Sequence, residues 1–378
     1  MAVHFNTFHG VELIERRLWN EFAAEAAPMM EWEYYHALEG SGSVSVDRGY
    51  RPCHLMAFED GRPIALAPLY ERDRAWVEFG DGGLLQFLTE LTGLPFHEGL
   101  VATIPLTPVP AYQFLTRPGV DRLRVSNMIL DYIDYLCETR GLSTSRVYFV
   151  APEWDRIGPV LLERGYVGLK TQYCLWFNRE YRTYEDYLAS FKSSRRTKIK
   201  RELRTIQEQG IKLEMVSGEE VRGDVFSDIY ELYTRTWIKH MGMEVLPFLQ
   251  EDFFTILDRE FRHRCRFCIA SGRDGRRLAM AVFYEKGREI FGRYWGCFEE
   301  VPFLHFATCY YHPIAYAIEK GLSTMDPGFG GNHKLIRGYE VVPVYHFIKF
   351  FGERQRQVAS TFLQRMESFA SIPQPSHR

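Results

Sequence analysis

A glycine-rich stretch in the C-terminal third of the chain, MDPGFGGNHKLIRGYE, collects side chains that could carry chemistry. A carboxylate, an imidazole and two cations stand within twelve residues of one another: Asp326, His333, Lys334 and Arg337. The glycines at 328, 330 and 331 permit a close approach of backbone to ligand that other residues forbid. This pattern predicts a binding loop in which His333, Lys334 and Arg337 contact phosphate or carboxylate groups, with a purely structural turn as the alternative.

Two segments upstream supply groups that could line the same cleft. The segment GRYWG places Arg293, Tyr294 and Trp295 at the end of a predicted strand, and LHFATCYYHPIAYAIEKG places His305 and Tyr310 on a predicted helix. A carboxylate or imidazole within reach of an amine can take its proton. We therefore expect His305 or Asp326 to be the base, and we include His333 in the catalytic set. The alternative for His305 is a partly buried histidine with satisfied hydrogen bonds.

The spacing of His305, Cys309 and His312 puts three potential metal ligands on one helix face. The helix lacks an HExxH arrangement, so we predict no metal site there. Cys265 and Cys268 form a single CxxC without a second pair, at the start of a predicted strand where alternation explains them as core residues.

A cationic helix is predicted where the two halves of the chain join. The segment YEDYLASFKSSRRTKIKRELRTIQEQG has apolar residues on one face and a glycine, Gly210, at its end. Its cations are Lys192, Arg195, Arg196, Lys198, Lys200, Arg201 and Arg204. Such a run suits a polyanion, and we assign the binding of an anionic substrate to Arg195, Arg196 and Lys198. The alternative is a solvated helix face paired with Glu202 and Glu208.

The sequence lacks the motifs of several classes of enzyme. There is no GxSxG elbow, no P-loop, and Cys309 lies inside a predicted helix rather than at a helix start that would lower its pKa. The short Q/R-x-x-G-x-G/A turn by which many acetyltransferases hold the coenzyme A pyrophosphate is also missing. We therefore expect no covalent enzyme intermediate and no tightly bound cofactor.

An internal repeat reveals the elements that position these residues. A strand hairpin around Asp60-Gly61 returns around Asp274-Gly275, with Gly61 and Tyr70 matching Gly275 and Tyr284 at an offset of 214 residues. A helical segment follows each hairpin, at about 126–139 and about 305–319, and each ends at Gly-Leu-Ser-Thr with an offset of 180. The difference of 34 residues predicts an insertion in the first half, expected as a long loop at Leu94–Pro118.

The order of elements in each half predicts a mixed α/β fold duplicated in tandem, with domains at 1–180 and 181–370. A net charge of −3 gives the whole chain no general attraction to nucleic acid. No stretch is long and apolar enough to predict a membrane span, and the N-terminus lacks the pattern of a secretory signal, so a cytoplasmic enzyme is expected. The tail SIPQPSHR is predicted to be disordered.

The segments SSRRTKIKRE, GRYWG, LHFATCYYHPIAYAIEKGL and MDPGFGGNHKLIRGYE together resemble the FemAB-like group of the Gcn5-related N-acetyltransferase (GNAT) superfamily. In the first half, WNEF, SGSV before a Gly-Tyr-x-Pro-x-His-Leu run, and TPV look like the same family, whose members are described as peptidoglycan biosynthesis or recognition proteins. The sequence departs from that pattern after TPV, where PAYQFLTR stands in place of a Gly-x-Arg. The resemblance implies two fused GNAT domains.

The resemblance also implies a reaction: transfer of an acyl or aminoacyl group from acyl-CoA or aminoacyl-tRNA, as co-substrate, to an amine of a small or peptide acceptor. Arg293, Tyr294, Trp295, His305 and Tyr310 would line the cleft of the second domain. Three alternatives stay open. They are plain acyl-CoA transfer to a small amine, a non-catalytic module that recognises cell-wall precursors, and a step in specialised peptide-like metabolite biosynthesis.

Overall fold

The computed structural model describes residues 3–74, 79–152, 154, 156–222 and 224–370; the tail at 371–378, predicted to be disordered, lies outside them. The strands are β1 (Val3–Phe8), β2 (Arg51–Pro52), β3 (His54–Glu59), β4 (Arg62–Ala67), β5 (Leu69–Arg72), β6 (Gly99–Ala102), β7 (Leu115–Thr116), β8 (Thr144–Val147), β9 (Val167–Phe177), β10 (Lys212–Ser217), β11 (Cys265–Ser271), β12 (Arg277–Lys286), β13 (Glu289–Cys297), β14 (Thr324–Asp326) and β15 (Glu340–Phe350).

Helices occupy much of the remaining chain. They are α1 (Arg16–Phe22), α2 (Trp32–Gly40), α3 (Leu84–Thr92), α4 (Arg122–Arg140), α5 (Ile157–Glu163), α6 (Tyr184–Ala189), α7 (Ser193–Glu208), α8 (Val225–Met241), α9 (Glu251–Glu260), α10 (Leu304–Phe306), α11 (His312–Glu319) and α12 (Glu353–Ala370). A π-helical turn, Ala307–Tyr311, joins α10 to α11, and a 3-10 helix spans Asn332–Arg337.

The described residues group into two compact units. Unit 1 takes residues from 1–24, 44–171 and 345–378, and unit 2 takes residues from 25–43 and 172–344. The strands β9 and β15 each run from one unit into the other. A simple division of the chain near residue 180 therefore does not describe the units: residues 25–43 belong to unit 2, and residues 345–370 belong to unit 1.

Unit 2 is built on a sheet with the strand order β10-β11-β12-β13-β14-β9. Neighbouring strands are antiparallel except for β13 and β14, which are parallel. The helix α8 packs on β12 and β13, while α11 packs on β10 and β14. Cys265 and Cys268 on β11 are fully buried, as predicted, but they are three residues apart and so lie on opposite faces of the sheet. Alternation alone therefore does not explain both, and β11 is covered on both faces.

The predicted repeat is present in both units. Each Asp-Gly or Gly-Arg-Asp-Gly turn joins an antiparallel hairpin, β3 with β4 and β11 with β12. Asp60 and Gly61 both have positive φ angles, of 50° and 77°, as the tight two-residue hairpin turn requires. In each unit a helix ending at a left-handed glycine, Gly141 or Gly321, leads into a short strand, β8 or β14, that lies parallel to β6 or β13.

The extra residues of the first half do not form the single loop predicted at 94–118. That range contains β6 and β7, both paired in sheets of unit 1. Part of the additional length precedes it, because the connection from β5 to β6 contains the helix α3, whereas only Gly287 and Arg288 separate β12 from β13. The prolines of this range suggested a loop, but all of them lie outside the two short strands: Pro105, Pro108 and Pro110 between β6 and β7, Pro95 before β6 and Pro118 after β7.

The predicted helix at the join of the two halves is divided into α6 and α7. Thr183 and Asp186 form a reciprocal capping box at the start of α6. At its end the hydroxyl of Ser190 donates a hydrogen bond to the carbonyl oxygen of Tyr187 at 2.7 Å. Lys192 then adopts an extended ψ of 147° before α7 begins. Gly210 follows α7 with a φ of 73°, which confirms the predicted stop.

Candidate functional site

The parallel strands β13 and β14 of unit 2 pair over three residues only. Their pairing ends at Phe291 opposite Asp326, after which β13 continues to Cys297 alongside β12. Two glycines allow the close approach at this point: a Cβ atom on Gly292 would lie 3.1 Å from the carbonyl oxygen of Asp326, and one on Gly328 would lie 3.1 Å from the carbonyl oxygen of Gly292. The end of the paired region brings β13 and the glycine-rich loop together.

A bulge interrupts β13 immediately beyond that point. Val282 of β12 is opposite Tyr294 and Phe283 is opposite Gly292, so Arg293 has no partner on β12. The bulge directs the Arg293 guanidinium to the region of Asp326 and Tyr173, and its positive charge acts to lower the pKa of both of these groups.

The carboxylate of Asp326 is buried at the start of the glycine-rich loop. The hydroxyl of Tyr173 donates to its two oxygens at 2.9 Å, and the backbone N–H of Gly328 donates to Oδ1 at 2.7 Å. Burial raises the pKa of Asp326, and the charge of Arg293 and these hydrogen bonds oppose the rise. Asp326 therefore anchors the loop as well as being a predicted base.

The Lys334 ammonium closes the same loop from the other end. Its Nζ donates a hydrogen bond to the carbonyl oxygen of Gly328, and the side chain is buried. Burial lowers the pKa of Lys334, whereas the nearby charge of Asp326 raises it. The loop is thus held by a lysine and an aspartate that lie close to each other.

Arg337 joins the loop to the cationic helix α7. Its Nη2 lies 3.2 Å from Oε2 of Glu202, its Nε donates to the Tyr311 hydroxyl at 2.9 Å, and its Nη1 donates to the carbonyl oxygen of His333 at 2.8 Å. All three guanidinium nitrogens of this buried side chain thus donate to acceptors within the protein. The prediction that Arg337 contacts a ligand has to be corrected, because these contacts assign it to holding the loop.

A group of aromatic and imidazole rings lies beside the loop, and we call it the ring cluster: Trp295, His305, Phe306, Tyr310 and His333. The His305 ring centroid is 4.7 Å from that of Trp295 and 5.7 Å from that of His333. The hydroxyl of Tyr310 is hydrogen-bonded to Nε2 of His333 at 2.8 Å. The structure therefore brings together four of the predicted site residues.

The two histidines of the ring cluster favour their neutral forms. Burial, followed by the charges of His333, Arg337 and Lys334, lowers the pKa of His305 to about 4. Burial and the same two cations also lower the pKa of His333. Both rings can therefore accept a proton near neutral pH, His305 only weakly because its conjugate acid is strong.

Tyr294 does not line this cleft. Its ring packs edge-on against Tyr233 and Phe254, and its hydroxyl lies 3.4 Å from that of Tyr34. Trp295, the next residue, donates from Nε1 to Thr308 at 2.8 Å. Successive side chains of a strand point to opposite faces, so the prediction that Tyr294 lines one cleft with Trp295 is wrong.

The cations of α7 make no ion pair or side-chain hydrogen bond with any described residue. Arg195 and Arg196 are half-buried and Lys198 is exposed. Glu202 faces inward to Arg337, so the alternative in which Glu202 neutralises the helix's own cations is wrong. Arg195 lies on the same stripe of α7 as the buried Ile199 and Glu202, which directs it along the edge of the site.

The arrangement of the described residues supports neither a metal site at His305, Cys309 and His312 nor a nucleophilic Cys309. His305 faces Trp295 and His333, whereas His312 is affected by the charges of Glu214 and Glu319, so the three spaced ligands do not converge. In the described ranges no group of three His, Cys, Asp or Glu side chains could hold a metal ion. Burial raises the pKa of the Cys309 thiol, which disfavours the thiolate.

Sequence reasoning missed Tyr173 and misjudged Glu202. Tyr173 lies in the segment YCLWFN, where its position inside a strand gave no sign of a contact with Asp326. Glu202 was considered only as a partner for neighbouring cations on its own helix. Its place on the apolar stripe, between Ile199 and Ile206, is the signal that would have predicted an inward-facing carboxylate.

Comparison with known proteins identifies the family of this chain. The family model for FemAB-like proteins, described as peptidoglycan biosynthesis/recognition, matches residues 10–372. The chain belongs to the FemAB-like family. The resemblance carried by its motifs is therefore confirmed. None of the curated proteins matches the chain.

Solved structures similar to this FemAB-like chain show its fold. FemX superposes with a TM-score of 0.57 at 11% identity, covering 93% of this chain and 99% of FemX. A conserved protein of unknown function from Bacteroides thetaiotaomicron has a TM-score of 0.54 at 8% identity, covering 93% and 100% of the two chains. A tandem GNAT protein from the clavulanic acid biosynthesis pathway has a TM-score of 0.45 at 11% identity, covering 93% and 99%.

The predicted fold class, a mixed α/β chain with one structural plan repeated in tandem, is confirmed by the sheet topology, by the repeated hairpin and by the superposition on FemX. Among the described residues of this FemAB-like protein, no helix is both long and apolar enough to cross a membrane.

Proposed function

We propose that this protein is an N-acyltransferase that moves an acyl or aminoacyl group from an anionic carrier to an amine acceptor. The observation that carries the proposal is the salt bridge between Glu202 and Arg337, which ties the cationic helix α7 to the loop that holds His333. A site for a polyanion and a site for proton transfer are thereby held next to each other.

The reaction is an aminolysis. The nitrogen lone pair of the acceptor attacks the acyl carbon, a C–N bond forms, and the C–O bond of an aminoacyl ester or the C–S bond of a thioester breaks. The amine loses one proton, and the leaving oxygen or sulfur takes up one. The chain's contribution is to hold the two substrates, accept that proton and stabilise the developing oxyanion.

We assign the proton transfer to His305 and His333, which are neutral near pH 7 and lie in one ring cluster. The Tyr310 hydroxyl orients the His333 ring through its hydrogen bond to Nε2. Asp326 is retained as the second candidate base, and burial, which raises its pKa, favours that role. Trp295 and Arg293 line the acyl side of the cleft, and Lys334 supplies a positive charge.

We assign the anionic carrier to Arg195, Arg196 and Lys198. The chain lacks the short glycine turn by which many acetyltransferases hold coenzyme A. That absence favours aminoacyl-tRNA over acyl-CoA as the donor, because a tRNA backbone can be held by side-chain cations without such a turn. The acceptor is a small or peptide amine.

A non-catalytic module for cell-wall precursors is the competing function, because the family description includes recognition. Such a module needs no proton transfer, so its ligand binding would not change between about pH 5 and 8. The transferase requires unprotonated His305 and His333, and its turnover falls as the pH is lowered.

The test compares donor binding with turnover in the purified protein. Fluorescence anisotropy with labelled aminoacyl-tRNA and calorimetry with acetyl-CoA identify the donor. R195A/R196A/K198A should bind the donor at least tenfold more weakly and show a smaller salt dependence. R17A/R62A/R354A also removes three cations, all of them exposed and in unit 1, and serves as the matched control. Binding of neither donor, or equal binding by both variants, contradicts the proposal.

A further inference from the structure

Unit 1 contains a cleft beside its last helix, and we call it the α12 cleft. Its walls come from the end of α4, the turn from α5 to β9, the end of β15 and the first three turns of α12. The cleft measures about 820 Å³, and every residue that lines it belongs to unit 1. Binding sites for small molecules have volumes of about 300–1,000 Å³. The cleft is therefore large enough to hold a ligand of its own.

The helix α12 is fixed at two points along its length. Near its start, the side-chain amide of Gln355 donates to the hydroxyl of Ser143 at 3.3 Å, and the backbone N–H of Phe351 donates to the carbonyl oxygen of Ser143 at 2.9 Å. Farther along, the ring of Phe362 lies 5.2 Å from that of Phe87 in α3. The wall that α12 contributes to the cleft is therefore held in place.

Two opposite charges line the α12 cleft without pairing. Glu138 lies on α4 and Arg356 lies on α12. Neither side chain forms an ion pair with the other or with any further residue that the structure describes. Arg356 donates one hydrogen bond, from Nη2 to the carbonyl oxygen of Phe351 at 3.1 Å. A carboxylate and a guanidinium thus remain able to bind two different groups of one ligand.

The other two cations of the cleft have carboxylate partners within the protein. Nζ of Lys349 donates to Oδ2 of Asp134 at 2.7 Å, and Nη1 of Arg164 donates to Oδ1 of Asp131 at 2.7 Å. These pairs leave one negative charge and one positive charge for a ligand. A ligand with only negative charge would be repelled by Glu138, and one with only positive charge would be repelled by Arg356.

Apolar side chains form the rest of the lining. Leu142, Val167 and Leu363 are partly exposed in the cleft, and Phe350 is buried behind them. They come from four separate parts of unit 1: the residue after α4, β9, α12 and β15. A ligand that covers these side chains removes apolar surface from water, which favours binding. The cleft thus offers one anionic, one cationic and one apolar contact.

We propose that the α12 cleft binds a small zwitterion, an amino acid or dipeptide with apolar side chains. Its ammonium group binds Glu138, its carboxylate binds Arg356, and its side chains cover Leu142 and Val167. Each of the three contacts meets its chemical complement, whereas a ligand that lacks either charge leaves one of them unmatched. The site does not depend on the transferase function proposed for the chain.

The test is calorimetric titration of the full chain with two probes, L-leucine and L-leucyl-L-leucine. We expect at least one of them to bind, and the tighter of the two gives the size of the ligand. The N-acetyl derivative of that probe lacks the ammonium group, and its amide lacks the carboxylate. Each derivative should bind at least tenfold more weakly than the probe itself, because hydrogen bonds to charged groups are lost.

Variants at exposed positions locate the binding in the cleft. E138Q and R356Q should each weaken binding of the probe at least tenfold, and S360W should abolish it by filling the cleft. The matched controls are E163Q in α5 and R354Q in α12, which change exposed charges outside the lining and should leave binding unchanged.

Three results would overturn the proposal. The first is that neither L-leucine nor L-leucyl-L-leucine binds. The second is that a blocked derivative binds as tightly as the free probe, which would mean that only one of the two charges is recognised. The third is that E138Q, R356Q and S360W all bind the probe as the wild-type protein does, which would place the binding elsewhere.

Discussion

The carboxylate of Glu202 and the guanidinium of Arg337 lie 3.2 Å apart, and each residue is only 2% exposed. The hydroxyl of Tyr311 connects them a second time, because it donates to Glu202 and accepts from Arg337. A charge pair so deeply buried depends on both partners, since either charge alone would be stranded without solvent. The pair therefore controls whether α7 and the glycine-rich loop stay together.

Removing one partner of this pair should be strongly destabilising. We expect R337M and E202M each to lower the free energy of unfolding by about 3–5 kcal/mol, because the remaining charge is buried and uncompensated. The double variant E202M/R337M should recover a large part of that loss. Urea denaturation monitored by circular dichroism measures all three.

The exposed pair Arg179–Glu340 is the matched control for this measurement. Both of its side chains are largely exposed, and R179A should cost no more than about 1 kcal/mol. Equal effects of R337M and R179A would contradict the role assigned to the buried pair.

The close approach of the glycine-rich loop to β13 gives a second prediction. Gly328 and Gly330 have positive φ angles of 84° and 77°, but only Gly328 would bring a Cβ within 3.1 Å of another backbone atom, the carbonyl oxygen of Gly292. G330A should cost about 1 kcal/mol for the left-handed conformation alone. G328A should cost clearly more, and it should also displace the acceptor of the Lys334 hydrogen bond.

Thermal denaturation of the two alanine variants provides the comparison. The pair is matched in backbone conformation, so the difference between the two melting temperatures isolates the contact with Gly292. A melting temperature of G328A equal to that of G330A would show that the loop does not approach β13 so closely.

Two tyrosines on opposite faces of the unit 2 sheet, Tyr310 in the ring cluster and Tyr294 on the other face, form a matched pair. Y310F removes the hydroxyl that is hydrogen-bonded to His333, and we expect turnover to fall about tenfold because the ring loses its orienting partner. Y294F removes a hydroxyl on the other face of β13 and should change turnover less than about twofold. Initial rates with the donor that the wild-type protein binds measure both, and comparable losses in the two variants would contradict the assignment.

Local sequence patterns predicted the elements of this chain better than their long-range contacts. Asp60-Gly61 and Gly141 specify a turn and a helix end through their own backbone preferences, so both could be predicted. The bulge at Arg293 could not be predicted, because a bulge depends on how β13 pairs with β12. This bulge also determines which face of the sheet Tyr294 points to. A pattern within one segment does not show which distant segment it pairs with in the fold.

For the same reason, the sequence could not predict which chain segments make up each unit. The segment 25–43 packs within unit 2, where Glu31 forms an ion pair with Arg264 at 2.7 Å. Neither residue type nor spacing links positions so far apart in the chain. In the candidate site, the closeness of the glycine-rich loop to several polar and aromatic side chains was predicted, whereas the contacts of Tyr173 and Glu202 required the three-dimensional structure.

The low pKa of His305 predicts a pH dependence of stability. Its value of about 4, against an ordinary 6.5, means that the unfolded chain binds more protons between these two pH values. The stability that the neutral ring contributes is complete above about pH 6.5 and is lost as the pH falls to about 4. Urea titrations at several pH values should show the difference between wild type and H305Q shrinking by about 2–3 kcal/mol across that window.

Replacing Lys334 tests directly whether nearby charge helps to lower the pKa of His305. Its charge is one of those that lower the pKa of His305, whereas burial alone lowers the pKa of His346 in unit 1, also to about 4. K334M should therefore raise the pKa of His305 and leave that of His346 unchanged. Imidazole proton chemical shifts followed by NMR against pH report both rings in one sample. A His305 pKa that stays the same in K334M would show that the charge of Lys334 does not act on this ring, and the proximity of Lys334 to the ring cluster would have to be abandoned.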